Sequence, residues 1–108
     1  MFKAQDPQGN VITLTLRCYN DHICINHTEM RLLLNEIKET IVNPDYIYQS
    51  KSSSKSHLYF KTYRNSSLNC NYILVAVYRR PNLRKGYVQS AYPVKTLSKG
   101  GALEWQKI

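Results

Sequence analysis

The sequence predicts a single α+β domain spanning residues 1–108, with N-terminal helices packed on one face of a single antiparallel sheet of about four strands. Helical periodicity is confined to the first half of the chain, whereas period-two alternation dominates the second half. A hydrophobic share of 43% is ordinary for a globular protein. No apolar run approaches the ~20 residues that cross a bilayer. The N-terminus also lacks a signal-peptide core, so we expect the cytoplasm as location.

The first half predicts two short strands followed by helices. Residues 2–5 and 11–15 flank a Pro/Gly/Asn turn, and Thr15 is placed to cap a short helix that begins at Leu16. Thr28 is placed to cap the main helix, which Asn43-Pro44 ends. The apolar stripe of that helix consists of Met30, Leu33, Leu34, Ile37 and Ile41.

The second half predicts the antiparallel sheet. A turn is expected at residues 81–86, and Pro93 is expected to close the last strand. The tail is expected to be loop-like, with Trp105 docking on the domain. The predicted strands cover residues 46–50, 57–64, 72–80 and 87–92.

Charge is distributed very unevenly along the chain. Residues 51–108 hold eleven of the fifteen basic side chains but only one of the seven acidic ones, Glu104. Such a basic region favours a polyanionic partner, with nucleic acid as the first candidate and an anionic membrane surface as the second. A solvated basic face that only aids solubility is the alternative that the charge leaves open.

The cysteines do not predict a disulfide framework or a metal site. Their number is odd, and Cys18 and Cys24 are six residues apart, which is not a usual spacing for zinc ligands. We expect Cys18, Cys24 and Cys70 to be buried apolar thiols. Nucleotide-binding loops and metalloprotease or hydrolase motifs are also missing from the sequence, so no metal or cofactor is predicted.

Two groups of polar residues could carry chemistry. His22 and His27 lie around the junction before the main helix, where an imidazole can transfer protons or can simply pack. On the predicted strands, Lys61 shares a face with Tyr63, and Ser90 shares a face with Tyr92. Cations on such a face could hold a phosphate, and tyrosines could stack on unpaired bases or serve as half-buried sheet residues.

An ordered set of short motifs resembles the phage barnase–EndoU–colicin–RelE-like nuclease domains. The motifs are HIxxxHxEM at 22–30, IxxTIxxPDxI at 37–47, YFK at 59–61, ILVAV at 73–77, GYVQSAY at 86–92 and KGG at 99–101, followed by Trp105. Thr28 stands where those domains have proline, Ser90 where they have threonine, and Asn26 where they have arginine.

This resemblance implies a metal-independent, toxin-like endoribonuclease that cleaves RNA by attack of a 2′-OH on the adjacent phosphate. It implies His22 or His27 as base or acid, Lys61 and Arg79 as phosphate ligands, and Ser90 and Tyr92 as positioning groups or proton donors. The wider set of expected RNA-binding residues is Arg17, Tyr63, Arg64, Arg79, Arg80, Arg84 and Lys85.

The expected partners are RNA, such as tRNA or ribosome-associated mRNA, and an acidic antitoxin or inhibitor protein, without a membrane. Two alternatives remain open from the sequence. One is a non-catalytic RNA- or ribosome-binding module, which would bind RNA in a salt-dependent manner without cleaving it. The other is a basic protein-interaction module that binds an acidic partner.

Overall fold

The computed structural model describes residues 1–80 and 82–108. Its main element is one seven-stranded sheet with the strand order β1-β2-β6-β5-β4-β3-β7. The strands are β1 (Phe2–Gln5), β2 (Val11–Leu14), β3 (Tyr46–Ser50), β4 (Ser56–Asn65), β5 (Cys70–Arg80), β6 (Lys85–Val94) and β7 (Gly100–Gln106). The helices are α1 (Leu16–Cys18), α2 (Cys24–Asn26) and α3 (Leu34–Val42), with a π-helical turn at Tyr19–Ile23 and a 3-10 turn at Thr28–Leu32.

The predicted architecture, helices on an antiparallel sheet of about four strands, is wrong. The sheet has seven strands and is mixed, because β2 pairs in parallel with the start of β6. The strands β1 and β2 join this sheet at one edge. At the other edge β7 pairs with β3, where the sequence suggested only a loop-like tail. The strand β7 begins with two glycines and lacks clean alternation, so its pattern gave no strand signal.

The helical region is also shorter and more broken than predicted. Thr15 caps α1 as expected, since its hydroxyl accepts a hydrogen bond from the Cys18 amide at 3.1 Å. The expected helix from Thr28 is interrupted at Leu33, whose φ of −116° and ψ of 28° are not helical. Thr28 therefore does not cap it, and α3 begins only at Leu34. Within the described residues, none of the helices has the length and apolarity needed to cross a membrane.

The helices cover one face of the sheet, here called the inner face; the opposite face is the outer face. The apolar stripe predicted from periodicity packs on the inner face despite the break, and Met30, Ile37 and Ile41 are fully buried. The inner faces of the strands contribute Ile12, Leu14, Ile47, Tyr59, Ile73, Val75, Val77, Val88 and Ala91 to this core. A smaller cluster of Leu58, Phe60 and Leu74 lies on the outer face beneath Tyr46, Tyr48, Tyr72, Tyr92 and Leu97.

The last long strand continues further than predicted. Pro93 does not end β6, which runs on to Val94. The strand β2 pairs only with the first residues of β6. Among the described strands, the half of β6 that contains Pro93 therefore pairs with β5 alone, and proline is tolerated at such an edge. In the turn expected at 81–86, Pro81 lies outside the described residues. Asn82 and Arg84 adopt left-handed backbone conformations, with φ of 76° and 51°.

The junction between α3 and β3 depends on Asp45. Its carboxylate accepts a hydrogen bond from the Thr62 amide at 2.7 Å. Partial burial by itself raises the pKa of the Asp45 carboxyl, but that hydrogen bond and the nearby charges of Lys61 and Lys107 outweigh burial and hold the pKa below its usual value. Because the folded-state pKa is lowered, Asp45 stabilises the fold above its unfolded pKa of about 4.

We expect Asp45→Asn to flatten the acid limb of the stability curve. In the wild type, the stabilisation from Asp45 should be lost progressively as the pH falls from about 4 through the lower folded-state pKa. Urea unfolding between pH 7 and pH 2 would measure this, with the exposed Asp21→Asn as control. An Asp45→Asn variant whose stability falls as steeply in acid as that of the wild type would contradict the assignment.

Candidate nucleic-acid interface

The outer face of the sheet presents tyrosines and cations in cross-strand rows. On β5, Val77 points into the inner core. Because side chains alternate along a strand, its neighbour Tyr78 and, two residues later, Arg80 point to the outer side. Tyr87 lies opposite Tyr78 on β6, and Lys85 lies opposite Arg80. The two rows therefore place an aromatic pair beside a cationic pair.

A β-bulge in β6 carries the pattern further along the same face. Val88 and Ala91 both belong to the inner core although three positions separate them. The register with β5 shifts between these residues, which leaves Gln89 as the extra residue. As a result, Ser90 and Tyr92 point to the outer face.

We define the outer-face track as the surface that these rows form along β5 and β6. From the Arg80 row to the row of Tyr92 the track spans seven residues of β5, Leu74 to Arg80, a length of about 20 Å. None of its members is acidic. They are Arg80, Lys85, Tyr78, Tyr87, Ala76, Ser90 and Tyr92.

At one end of the track, three side chains are stacked. The His27 imidazole stacks on the Tyr92 ring with 4.6 Å between centroids and 24° between planes. Lys99 places its ammonium 4.6 Å from the centroid of the same ring and donates a hydrogen bond to the Tyr92 hydroxyl at 3.0 Å. The Tyr92 ring is thus occupied by its neighbours, whereas no described ring stacks on Tyr78 or Tyr87.

A depression of about 440 Å³ lies beside this stack. It supplies hydroxyl, amide and ammonium groups within reach of Tyr92 and Lys99, so it has the chemistry to receive a sugar or a phosphate. Its lining consists of Ser50, Lys51, Ser52, Ser56, Leu58, Ala76, Gln89, Tyr92 and Lys99.

The other candidate catalytic residues lie apart from this stack. His22 is exposed on the helical segment, and its Nδ1 lies 3.1 Å from the Asn26 side-chain amide. Lys61 points to the inner side, where its ammonium donates to the Asn43 carbonyl at 2.9 Å. The residues expected to be catalytic are His22, His27, Lys61, Ser90 and Tyr92. Of these, the structure brings His27 into contact with Tyr92, and Ser90 lies on the same face as Tyr92.

The expected RNA-binding residues divide between several surfaces. Arg80 and Lys85 belong to the outer-face track. Arg17 is exposed on α1, where it lies 4.0 Å from Asp21. Tyr63 packs on the inner core, and Arg64 is exposed near the β4–β5 turn. The remaining two residues, Arg79 and Arg84, line a separate pocket on the inner side of the sheet.

This inner side holds a polar network that the sequence did not reveal. Arg79 donates to Glu104 Oε2 at 2.6 Å and to Gln8 Oε1 at 2.9 Å. His57 Nδ1 contacts the other Glu104 oxygen and also lies 2.6 Å from Arg79 Nη2. Arg79 also lies 3.8 Å from Asp6, which the chain buries almost completely. The network thereby joins β7 and the β1–β2 turn to the central strands.

Tyr59 completes the network from within the core. Its hydroxyl donates to the Asp6 carboxylate, which also accepts from the amides of Gln8 and Asn10. Burial, and then the Asp6 charge, raise the pKa of Tyr59 far above its usual value, so the phenol stays a hydrogen-bond donor.

Some of the residues missed in the sequence did carry a usable signal. Tyr78 alternates with Val77 and is in phase with Arg80, so its outward position followed from the strand pattern. Lys99 and Glu104 carried none, because their placement depends on the pairing of β7 with β3.

Comparison with known proteins gave no relatives: no protein-family model, no curated protein and no solved structure matches this chain.

We expect Tyr59→Phe to destabilise the fold by about 1–3 kcal/mol, because the buried Asp6 carboxylate loses a charge-assisted hydrogen bond. Urea unfolding at pH 7 would measure the loss. Tyr63→Phe is the matched control, since the Tyr63 hydroxyl makes only a 3.4 Å contact with Asn65 and should change stability little. Equal effects of the two substitutions would contradict the role given to Tyr59.

Proposed function

We propose that this protein binds single-stranded RNA along the outer-face track and cleaves it without a metal ion. The observation that carries the proposal is the track itself, an uncovered sheet face with an aromatic pair, a cationic pair and, at its far end, the stack of His27, Tyr92 and Lys99. Cations track a nucleic-acid backbone, and aromatic side chains stack on unpaired bases.

Tyr78 and Tyr87 are the residues best suited to stack on bases. Tyr87 is 45% exposed, and Tyr78 is partly exposed directly across from it. A duplex keeps its bases stacked on each other, so these rings favour an unpaired strand. Arg80 and Lys85, one row further along, supply charges for the flanking phosphates.

Cleavage would take place at the stacked end of the track. The ribose 2′-oxygen forms a bond to the adjacent phosphorus, and the bond from phosphorus to the 5′-oxygen breaks. A base must take the 2′-OH proton, and an acid must give a proton to the leaving 5′-oxygen. His27 supplies one of these groups and the Tyr92 hydroxyl the other, while Lys99 stabilises the charge on the phosphorane.

Two further parts of the proposal concern where the protein works and what restrains it. The three cysteines are all unpaired, which supports a reducing compartment such as the cytoplasm. A toxin-like ribonuclease needs restraint, and an acidic antitoxin or inhibitor protein could cover the same basic track that RNA would occupy. Such a partner should compete with RNA for binding.

A non-catalytic RNA-binding module is the second candidate. One feature favours it: Tyr92 is already engaged by protein groups, since Lys99 donates to its hydroxyl and His27 stacks on its ring. Both candidates share the track, and they differ in whether RNA is cut.

We expect the double substitution Tyr78→Ala/Tyr87→Ala to weaken binding of a single-stranded oligonucleotide by at least tenfold, because each lost stacking contact is worth about 1–3 kcal/mol. Fluorescence anisotropy at fixed ionic strength would measure the affinity. Tyr78→Phe/Tyr87→Phe keeps both rings and should bind as the wild type does. If the alanine and phenylalanine variants bind equally, base stacking on this face is wrong.

We expect the purified protein to cut RNA in EDTA and to leave 2′,3′-cyclic phosphate ends. His27→Ala should lower the rate by about 10²–10⁴-fold, as for loss of a proton-transfer group. End-group analysis of a defined oligonucleotide would measure products and rate. His22→Ala is the matched control, because His22 contacts Asn26 rather than Tyr92.

Binding without cleavage would favour the non-catalytic module. Cleavage that survives in the His27→Ala variant would show that the reaction takes place at another site.

A further inference from the structure

The inner side of the sheet contains a second basic site, separate from the stacked end of the outer-face track. It is a pocket of about 360 Å³ between the β1–β2 turn, the β3–β4 loop and the β5–β6 turn. Arg79 and His57 form its floor, and Lys55, Arg80 and Arg84 stand around it. Arg80, at the end of β5, borders both the pocket and the track. Four cations and an imidazole therefore surround a single cavity.

The floor of the pocket is already fixed in position. The Arg79 side chain is only 12% exposed, and its guanidinium is held by Glu104 at 2.6 Å and by Gln8 at 2.9 Å. The same Glu104 carboxylate holds His57 through Nδ1. An arginine and an imidazole held in this way lose little conformational entropy when an anion binds.

The rim of the pocket carries uncompensated positive charge. Glu104 and Asp6 are the carboxylates near Arg79, and both are engaged by the network described above. Among the described residues, the side chains of Lys55, Arg80 and Arg84 make no hydrogen bond or ion pair. These three cations are therefore free to neutralise an anion from outside.

Two further details concern the lining of the pocket: one ring nitrogen of His57 is not engaged by a described residue, and the turn that carries Arg84 is tied to β2. His57 has Nδ1 engaged by Glu104, which leaves Nε2 without a described protein partner at a residue that lines the pocket. Arg84 adopts a left-handed backbone with φ of 51°, an unfavourable conformation for arginine. Its amide carbonyl accepts from Val11 at 2.9 Å, which ties the strained turn to β2 beside the pocket.

We propose that this pocket is a phosphate-binding site, occupied either by a free phosphate compound such as a nucleotide or by a backbone phosphate of RNA. Planar guanidinium groups match the geometry of phosphate oxygens, and charge-assisted hydrogen bonds of this kind are strong. The site does not depend on cleavage or on base stacking at the outer-face track.

The test is an NMR titration of the full chain with three probes at constant ionic strength: inorganic phosphate, adenosine 5′-monophosphate and a short 2′-O-methyl RNA. Succinate serves as the carboxylate comparison. We expect a phosphate-bearing probe to shift the amide signals of Gln8, Asn10 and His57. Shifts with the RNA alone would identify a backbone phosphate, and shifts with the small probes would identify a free phosphate compound.

The pocket variant is Lys55→Gln/Arg84→Gln, which removes two exposed charges and leaves the Arg79 floor intact. Its affinity for the effective probe should fall by about tenfold or more, as expected for loss of charge-assisted contacts. Lys3→Gln/Arg31→Gln removes the same charge at exposed positions elsewhere and should bind as the wild type does. Thermal unfolding checks that both variants remain folded.

Three results would overturn the proposal. The two double variants could bind the effective probe with equal affinity, succinate could bind as tightly as phosphate, or no probe could shift the pocket signals. If RNA binds while the pocket signals do not shift, the pocket is not a phosphate site, and the proposal for the outer-face track is unaffected.

Discussion

The β-bulge at Gln89 determines which side chains face the solvent along β6. Before the bulge, Gly86 and Val88 lie on the inner side; after it, Ala91 does. Strict alternation from Val88 would have turned Ser90 and Tyr92 into the core and exposed Ala91. The bulge therefore keeps small and apolar residues inside, and it moves a serine and a tyrosine onto the outer face.

The bulge also connects the two ends of the outer-face track. The rows of Tyr78 and Tyr87 lie before it, and the stack of Tyr92 with His27 and Lys99 lies beyond it. His27 comes from the segment between α2 and the 3-10 turn, which runs past the half of β6 that β2 does not pair with. The open half of β6 is thus where the helical segment reaches the outer face.

The sequence predicted the elements better than their arrangement. Period-two patterns located β3 to β6, and the Thr15 cap located the start of α1, because these signals are local. The bulge, the parallel pairing of β2 with β6 and the pairing of β7 with β3 depend on contacts between distant residues, which periodicity does not contain. The break at Leu33 was also hidden, since the apolar spacing of 3.6 continues through it and four of the five stripe residues, Met30, Leu33, Ile37 and Ile41, stay buried.

The difference between local signals and long-range pairing also applies to the candidate sites. Motif resemblance named His27 and Tyr92, and these two residues are in contact, whereas Lys61 faces the opposite side of the sheet. The pairing of Glu104 with Arg79 and His57 could not be foreseen, because it requires β7 to lie at the sheet edge. Glu104 is the one carboxylate side chain in residues 51–108, and it holds the Arg79 guanidinium and the His57 imidazole in place.

The central claim is that the outer face of the sheet is the RNA surface. The most direct test is to locate bound RNA on the protein. Ultraviolet crosslinking of a 4-thiouridine-containing single strand, followed by mass spectrometry of the linked peptides, would do so. We expect crosslinks in β5 and β6, centred on Tyr78 and Tyr87. Crosslinks concentrated on α3, on the side of Lys38 and Glu39, or a complete lack of crosslinks with intact protein, would contradict it.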